Sequence, residues 1–187
     1  MEKTDYIIEY QCPFYKIIKE EIKLPDGKTA TYFTHVANNP FIAVIAIEHE
    51  QVLIQHQFRP TIKAWNWEFP MGAVNSGEKE LKAAQRELLE ETGYKASNWT
   101  ELGFFYVGLG HTNNRGFVFL AHNLIKTNKQ ELGEAEIIQP KLIKIKDFEK
   151  MIAQGTIVDG PTLACWQIYQ QKIVTKAYAS FIPKRKK

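Results

Sequence analysis

The chain has 187 residues, 44% of them hydrophobic and 12% aromatic, which supplies a sizeable core and excludes a disordered chain. Its 24 basic and 21 acidic side chains give a formal net charge of +3, but four of the basic residues form the run 184–187. Without that tail 20 basic residues face 21 acidic ones, so the charge balance makes nucleic acid an unlikely partner.

The predicted elements run from strands through one helix back to strands and end in two helices. Residues 14–24 and 28–36 predict two strands, joined by a tight turn that contains proline and glycine. The continuously apolar run 41–47 predicts a strand covered on both faces. Further strands are expected at 51–58, 65–69, about 100–107, 115–122 and 137–145, and helices at about 147–154 and 161–180. This order predicts an α/β or α+β sandwich.

Residues 78–92 are rich in Glu, Lys, Leu and Ala and predict a central helix. Asn75 or Ser76 is expected to cap its start, and Gly93 is expected to end it. The buried stripe of this helix is expected to comprise Leu81, Ala84 and Leu88.

Neither a membrane span nor an export signal is visible in the sequence. No apolar run approaches the roughly 20 residues of a membrane span, and the N-terminal residues lack an apolar signal region. Cys12 and Cys165 lie far apart without metal-type spacing, which favours reduced thiols. We therefore expect a cytoplasmic protein with no membrane partner.

Glu87, Glu90 and Glu91 stand at positions i, i+3 and i+4 of the predicted helix, so their side chains project from one face. Three like charges this close would destabilise the helix. A divalent cation would turn the repulsion into a binding site, because Mg²⁺ is held by a few carboxylates together with waters and substrate phosphates. A solvated surface helix is the alternative interpretation.

The segment from Gly72 to Tyr94 resembles the signature of the Nudix hydrolases, G-x5-E-x7-R-E-U-x-E-E-x-G-U, where U is a bulky aliphatic residue. All seven fixed positions match, and Leu88 fills the first U, whereas Tyr94 takes the second. The resemblance implies a Nudix-type α/β/α sandwich with a mixed sheet. It also implies cleavage of a nucleoside diphosphate linked to another group, with Mg²⁺ as cofactor and Mn²⁺ as its substitute.

The signature assigns expected roles by position. Glu87 and Glu91 match the chief metal ligands, with Glu90 in the same cluster and the backbone carbonyl of Met71 beside them. Arg86 is expected to hold a carboxylate rather than to touch the substrate. Glu78 is expected to orient Arg86 or to bind an outer metal ion.

Two stretches before the signature resemble the ADP-ribose pyrophosphatase branch of the family: Gln57-Phe-Arg-Pro60 and Trp65-Asn-Trp-Glu-Phe-Pro70. In that branch the arginine contacts substrate phosphate and the glutamate lines the substrate pocket, roles that fall here to Arg59 and Glu68. The few arginines of the chain also favour phosphate binding. Most of its basic residues are lysines, whereas the planar guanidinium of arginine can donate two hydrogen bonds to a phosphate or carboxylate. The arginines outside the tail are Arg59, Arg86 and Arg115.

The loop 106–115 departs from that branch, since Leu109 replaces a proline and Asn114 replaces an acidic residue. The loop stays polar and glycine-rich, so it is still expected to bind a sugar or phosphate. His111 is interpreted as a hydrogen-bonding loop residue, with a catalytic base as the alternative.

A second loop, Glu131-Leu-Gly-Glu134-Ala-Glu136, resembles the mobile acidic loop that often supplies the general base in this family. Glu134 is the expected base and Glu136 a supporting metal ligand. A solvated acidic loop is the alternative.

The resemblance also suggests a domain plan and a function. Residues 1–38 are expected to form an N-terminal β subdomain that pairs with a second copy in a homodimer, 39–182 the Nudix domain, and 183–187 a basic tail. The sequence thus predicts a Mg²⁺-dependent hydrolase of nucleoside diphosphate sugars, with ADP-ribose the first candidate, yielding AMP and ribose 5-phosphate. GDP-mannose or a nucleoside triphosphate as substrate, and a non-catalytic nucleotide-sensing module, stay open.

Overall fold

The computed structural model describes residues 6–127, 129–134 and 136–181, with side chains up to residue 173. The predicted basic tail lies outside these residues. An N-terminal antiparallel sheet contains β1 (Tyr6–Gln11), β2 (Tyr15–Lys23) and β3 (Thr29–Ala37). The β2–β3 hairpin confirms the predicted pair of strands. The sequence analysis missed β1, whose six residues are all exposed, so the strand has no buried face that would impose an apolar–polar alternation.

The central sheet has seven strands in the described part of the chain. They are β4 (Phe41–Glu48), β5 (Gln51–Arg59), β6 (Ala64–Glu68), β7 (Met71–Ala73), β8 (Tyr94–Tyr106), β9 (Arg115–Lys126) and β10 (Ile138–Lys144). The order is β10-β5-β4-β9-β8, with β6 paired to β5 and β7 to β4. Only β4 and β9 run parallel among these described pairs, so the sheet is mixed, as predicted.

Helices cover both faces of this sheet: α1 (Glu80–Thr92) on one side, and α2 (Ile145–Ala153) and α3 (Gly160–Phe181) on the other. The alternation of β4 divides the core, because Val44 packs in the cluster that holds Leu88 of α1, whereas Ile45 packs with Phe148 of α2 and Trp166 of α3. The predicted α/β/α sandwich is therefore confirmed. Within the described residues, no helix has the length and apolar character needed to cross a membrane.

The start of α1 differs from the prediction, and its end agrees. Lys79 occupies the N-cap position without a side-chain cap, so the expectation of a cap at Asn75 or Ser76 was wrong. The backbone N–H of Asn75 instead donates to Oε2 of Glu78 at 3.0 Å, which makes the preceding segment a separate turn. Gly93 ends the helix with φ 71°, a left-handed conformation that suits glycine.

The buried stripe of α1 also differs at one position. Ala84 and Leu88 are buried as predicted, but Leu81 is 39% exposed and Ala83 is buried in its place. A pattern of three residues does not determine how a short helix is rotated about its axis. Packing against the sheet decides which side chains are buried.

Candidate active site

Arg86 is the centre of the polar network on α1. Its Nε and Nη2 donate to the two carboxylate oxygens of Glu78, at 3.0 and 2.9 Å, and Nη2 also donates to the carbonyl of Ala73 at 3.0 Å. Nη1 donates to Oε1 of Glu87 at 2.6 Å and to Oε2 of Glu90 at 3.1 Å. These hydrogen bonds lower the pKa of Glu78 and raise that of Arg86. The guanidinium therefore offsets the repulsion among the carboxylates.

Glu91 is the most deeply buried carboxylate of the cluster, with only 3% of its surface exposed. Its Oε2 accepts hydrogen bonds from the backbone N–H of Met71 at 2.9 Å and from Nε2 of Gln55 at 3.3 Å. Burial, followed by the charge of Glu87, raises the pKa of Glu91 well above 4.5, while both hydrogen bonds oppose the rise. Burial thus opposes the charged form of Glu91, which a bound cation would stabilise.

Glu87 lies directly against the backbone of Gly72. A Cβ at Gly72 would lie 2.0 Å from Cδ of Glu87, so only glycine leaves room for this carboxylate. Burial raises the pKa of Glu87, and Arg86 opposes that rise. The fixed glycine of the signature is explained here by the space that the carboxylate needs.

The acidic loop contacts the C-terminal end of α1. The Nε2 of Gln130 donates to the carbonyl of Glu91 at 2.7 Å, and Oε2 of Glu136 accepts from the backbone N–H of Gly133 at 2.8 Å. The charge of Glu136 raises the pKa of Glu91 as well as that of Glu87. Glu134 lies exposed in a turn of this loop, and no hydrogen bond or ion pair holds its side chain among the described residues. The loop thus brings Glu136 near the cluster and leaves Glu134 at the surface.

The chemistry of these side chains fits a divalent cation, because oxygen donors and an excess of negative charge suit hard ions such as Mg²⁺. Glu90 and Glu136 both act on the pKa of Glu87, so the carboxylates share one electrostatic site. No three acidic, His or Cys side chains are arranged around a common point among the described residues. The Nη1 of Arg86 contacts one oxygen each of Glu87 and Glu90, and it does not engage Oε2 of Glu87 or Oε1 of Glu90.

A cavity of about 290 Å³ opens beside the cluster, and its lining includes Met71 and Gly72 on one side and Arg59, Glu68 and Asp159 on the other. The Nε of Arg59 donates to both oxygens of Glu68, at 2.9 and 3.1 Å, and its Nη2 also donates to Oε2. Glu68 is only 2% exposed and fixes the guanidinium in place. No hydrogen bond within the described residues engages Nη1 of Arg59, which leaves a donor for an anion.

Asp159 lines this cavity and also lies at the start of α3. Its Oδ2 accepts the backbone N–H of Thr162 at 2.8 Å, which caps the start of α3. Burial raises its pKa, and the charges of Glu68 and Arg59 act on it in opposite directions. This capping residue also lines the cavity, which no local sequence pattern indicates.

The loop 106–115 places its predicted residues differently. The guanidinium of Arg115 lies 5.3 Å from the ring centre of Phe104 and 4.5 Å from that of Phe117, and it lines a neighbouring cavity of about 270 Å³. His111 is exposed and lines neither cavity. Asn114 lines both, and its Oδ1 is buried without a partner among the described residues. The structure therefore brings Asn114, but not Arg115 or His111, to the cavity beside the carboxylates.

The N-terminal sheet holds this loop in place. Tyr32 Oη donates to the carbonyl of Gly110 at 2.6 Å, and the backbone N–H of His35 donates to the carbonyl of His111 at 2.8 Å. The Nδ1 of His35 lies 2.9 Å from Oγ1 of Thr112. Contacts from β3 thus fix the loop that borders the cavities.

Together the fold and the site define a hydrolase of phosphate anhydrides that works with a divalent cation. A family model for the NUDIX domain matches residues 38–164. The chain is 31% identical over 161 residues to the ADP-ribose pyrophosphatase of Bacillus subtilis (strain 168), covering 84% of this chain and 86% of that protein. It is 29% identical over 158 residues to the CMP-5'-(N-acetyl-N-hydroxy-3-aminopropyl)phosphonate hydrolase of Streptomyces rubellomurinus (strain ATCC 31215), covering 83% and 75%.

A solved structure described as an ADP compounds hydrolase superposes with a TM-score of 0.81 at 14% identity, covering 92% of this chain and 93% of the other, which establishes the fold. The chain belongs to the Nudix family and is a Nudix hydrolase. Nudix hydrolases use a divalent metal ion, so the carboxylate face predicted from the sequence belongs to a metal-dependent enzyme.

Proposed function

We propose that this enzyme is a Mg²⁺-dependent pyrophosphohydrolase of ADP-ribose that yields AMP and ribose 5-phosphate. The observation that carries the proposal is the shared border of the carboxylate cluster and the Arg59 cavity, which meet at Met71 and Gly72. A diphosphate in that cavity would reach both the cation and the guanidinium. The name of the Bacillus subtilis relative, ADP-ribose pyrophosphatase, supports the substrate.

The metal site in this proposal is formed by Glu87, Glu90, Glu91 and the carbonyl of Met71, with Glu136 as a supporting ligand. Bound Mg²⁺ neutralises diphosphate charge and lowers the pKa of the attacking water. The Glu87 carboxylate lies close to the backbone of Gly72, which lines the cavity.

The remaining side chains bind the substrate and move one proton. Arg59 binds a phosphate oxygen through its unengaged Nη1, while Glu68 holds the guanidinium in position. Glu134 accepts the proton of the water whose oxygen bonds to phosphorus, as the bond from that phosphorus to the bridging oxygen breaks and the other phosphate departs. Because Glu134 lies exposed in a turn, its loop must close over bound substrate. Arg86 positions the carboxylates, and Arg115 and His111 remain predicted contacts for substrate groups beyond the cavity.

The test is a substrate panel with product identification in Mg²⁺, covering ADP-ribose, GDP-mannose and a nucleoside triphosphate. AMP and ribose 5-phosphate from ADP-ribose are expected, with the highest kcat/KM of the panel. Glu91→Gln should abolish turnover because it removes a ligand charge, whereas Glu101→Gln, at an exposed position of β8, should leave turnover unchanged. Absence of Mg²⁺-dependent hydrolysis across the panel would reject the proposal.

A second candidate is hydrolysis of a different nucleotide derivative, such as GDP-mannose. Asn114, which replaces the acidic residue of the ADP-ribose branch, presents an unpartnered Oδ1 at the cavity wall and favours this alternative. The name of the Streptomyces rubellomurinus relative points to a CMP-linked phosphonate for that protein. The ratio of kcat/KM values in the same panel decides between the substrates, and binding without hydrolysis would indicate a nucleotide sensor.

We also propose that residues 1–38 form a dimerisation subdomain preceding the Nudix domain at 39–182. Ile7, Tyr10 and Phe33 on the N-terminal sheet, and Phe14 between β1 and β2, are 53–79% exposed, and a second copy would cover these apolar side chains. Light scattering after gel filtration should give twice the chain mass, and replacing Ile7 and Phe33 by arginine should give the monomer mass. A cytoplasmic location stays a prediction, with which the free thiols Cys12 and Cys165 agree.

A further inference from the structure

Gln55 is a buried amide beside the carboxylate cluster, and no sequence motif accounts for it. It lies on β5 with 0% of its surface exposed, directly after the apolar residues Val52, Leu53 and Ile54. A buried amide is tolerated where hydrogen bonds satisfy it. Its partners therefore indicate why an amide stands at this position.

The amide of Gln55 is oriented by two acceptors. Nε2 donates to Oε2 of Glu91 at 3.3 Å and to Oε1 of Gln57 at 3.3 Å, whereas Oε1 of Gln55 has no partner among the described residues. Turning the amide over would place Oε1 against both of those acceptors, which is repulsive. The unpartnered oxygen is therefore a consequence of the contact with Glu91. An unsatisfied buried acceptor destabilises the fold, so stability alone does not explain why Gln55 contacts Glu91.

Both donors to Glu91 end on the same oxygen. The backbone N–H of Met71 donates to Oε2 at 2.9 Å, and Gln55 reaches that same Oε2 from β5. In the described part of the chain no donor reaches Oε1 of Glu91. Donors from β5 and β7 thus hold one oxygen of the carboxylate, and among the described residues the other oxygen has no donor.

We infer that Gln55 is a positioning residue, which fixes the Glu91 carboxylate so that Oε1 is presented to a divalent cation. The inference rests on the proposed function in that Glu91 is the metal ligand. Gln55 acts through Glu91 and does not itself touch the metal or the substrate. Such outer partners commonly change metal affinity 10- to 100-fold when removed.

The test is Gln55→Leu in the full chain, with Mn²⁺ affinity measured by titration calorimetry and the unfolding midpoint measured in EDTA. Affinity should fall about 10-fold or more, and the metal-free midpoint should fall modestly, because Oε1 of Gln57 and Oε2 of Glu91 each lose a donor. Half-saturating Mg²⁺ in the hydrolysis assay should rise by the same factor. The matched control is Ile54→Val, which lowers the midpoint slightly and should leave Mn²⁺ affinity unchanged.

A purely structural Gln55 would lower the metal-free midpoint and leave Mn²⁺ affinity at the wild-type value, and that unchanged affinity overturns the inference. Gln55→Met removes the same amide with an unbranched side chain and serves if the leucine variant does not fold. Wild-type affinity in either variant that folds refutes the positioning role alone. Failure of the wild-type chain to bind Mn²⁺ would count against the proposed function instead.

Discussion

Gly72→Ala tests whether the backbone before α1 makes room for a metal ligand. The added Cβ would lie 2.0 Å from Cδ and Oε1 of Glu87 and 2.4 Å from its Oε2. Gly72 is not among the glycines with positive φ, so alanine fits its backbone conformation. The perturbation therefore falls on the Glu87 carboxylate rather than on the fold.

The size of the effect follows from the distance. Non-bonded carbon and oxygen atoms approach to about 3.5 Å, so the carboxylate must move by roughly 1.5 Å. A displacement of about 1 Å at a catalytic group can reduce the rate about 100-fold. We expect kcat/KM for ADP-ribose to fall at least about 100-fold, equivalent to about 2.7 kcal/mol. The free energy of unfolding should change by less than about 1 kcal/mol.

The assay is steady-state hydrolysis in saturating Mg²⁺, accompanied by thermal unfolding of the same preparations. Gly160→Ala is the matched control, because a Cβ there meets nothing within 4 Å and its φ is not positive. That control should retain wild-type kcat/KM. Wild-type kcat/KM in Gly72→Ala would refute the placement of Glu87 against Gly72 in the working enzyme.

Three further predictions concern the pH dependence, the substrate arginine and the thiols. Burial raises the pKa of Glu91 above 4.5, so this group stabilises the folded metal-free chain at low pH, and the contribution is lost as pH rises through the raised pKa. The unfolding midpoint in EDTA should therefore fall over that pH range. Glu91→Gln should reduce this dependence of the midpoint on pH. Arg59→Lys should reduce kcat/KM for ADP-ribose about 10-fold, because an ammonium loses the fork that binds Glu68 and phosphate together; an unchanged value would exclude Arg59 from substrate binding. Burial raises the pKa of the Cys165 thiol, so a thiol reagent should modify only Cys12 in the native chain and both cysteines in denaturant.

The sequence predicted the catalytic helix and its acidic face because both depend on local patterns. Helix-forming residues identify 78–92, and the spacing of the glutamates places them on one side whatever the helix packs against. The start at Glu80 and the exposure of Leu81 could not be predicted in this way, because the turn at Asn75 and the contact with the sheet decide them. β7 was missed because three residues that include a glycine give no strand pattern.

Residues that join the site from distant segments leave no local pattern at all. Gln55 follows the apolar residues of β5, and Asp159 is an ordinary helix cap. Only the folded chain brings Gln55 against Glu91 and Asp159 to the cavity. His111 illustrates the reverse case, since this polar loop residue lines neither cavity, and its carbonyl accepts the backbone N–H of His35 in β3.

The hydrogen bonds of Arg86 explain how one side chain can serve the site both without and with a metal ion. Nε and Nη2 hold Glu78 and the carbonyl of Ala73, contacts that lie away from Glu87 and Glu90 and can persist when a cation binds. Nη1 alone contacts Glu87 and Glu90, through one oxygen of each, so it does not engage the second oxygen of either carboxylate. A lysine has a single ammonium and could not separate these two tasks, whereas the planar fork of arginine can. This division accounts for an arginine on α1 in a chain whose other cations are mostly lysine.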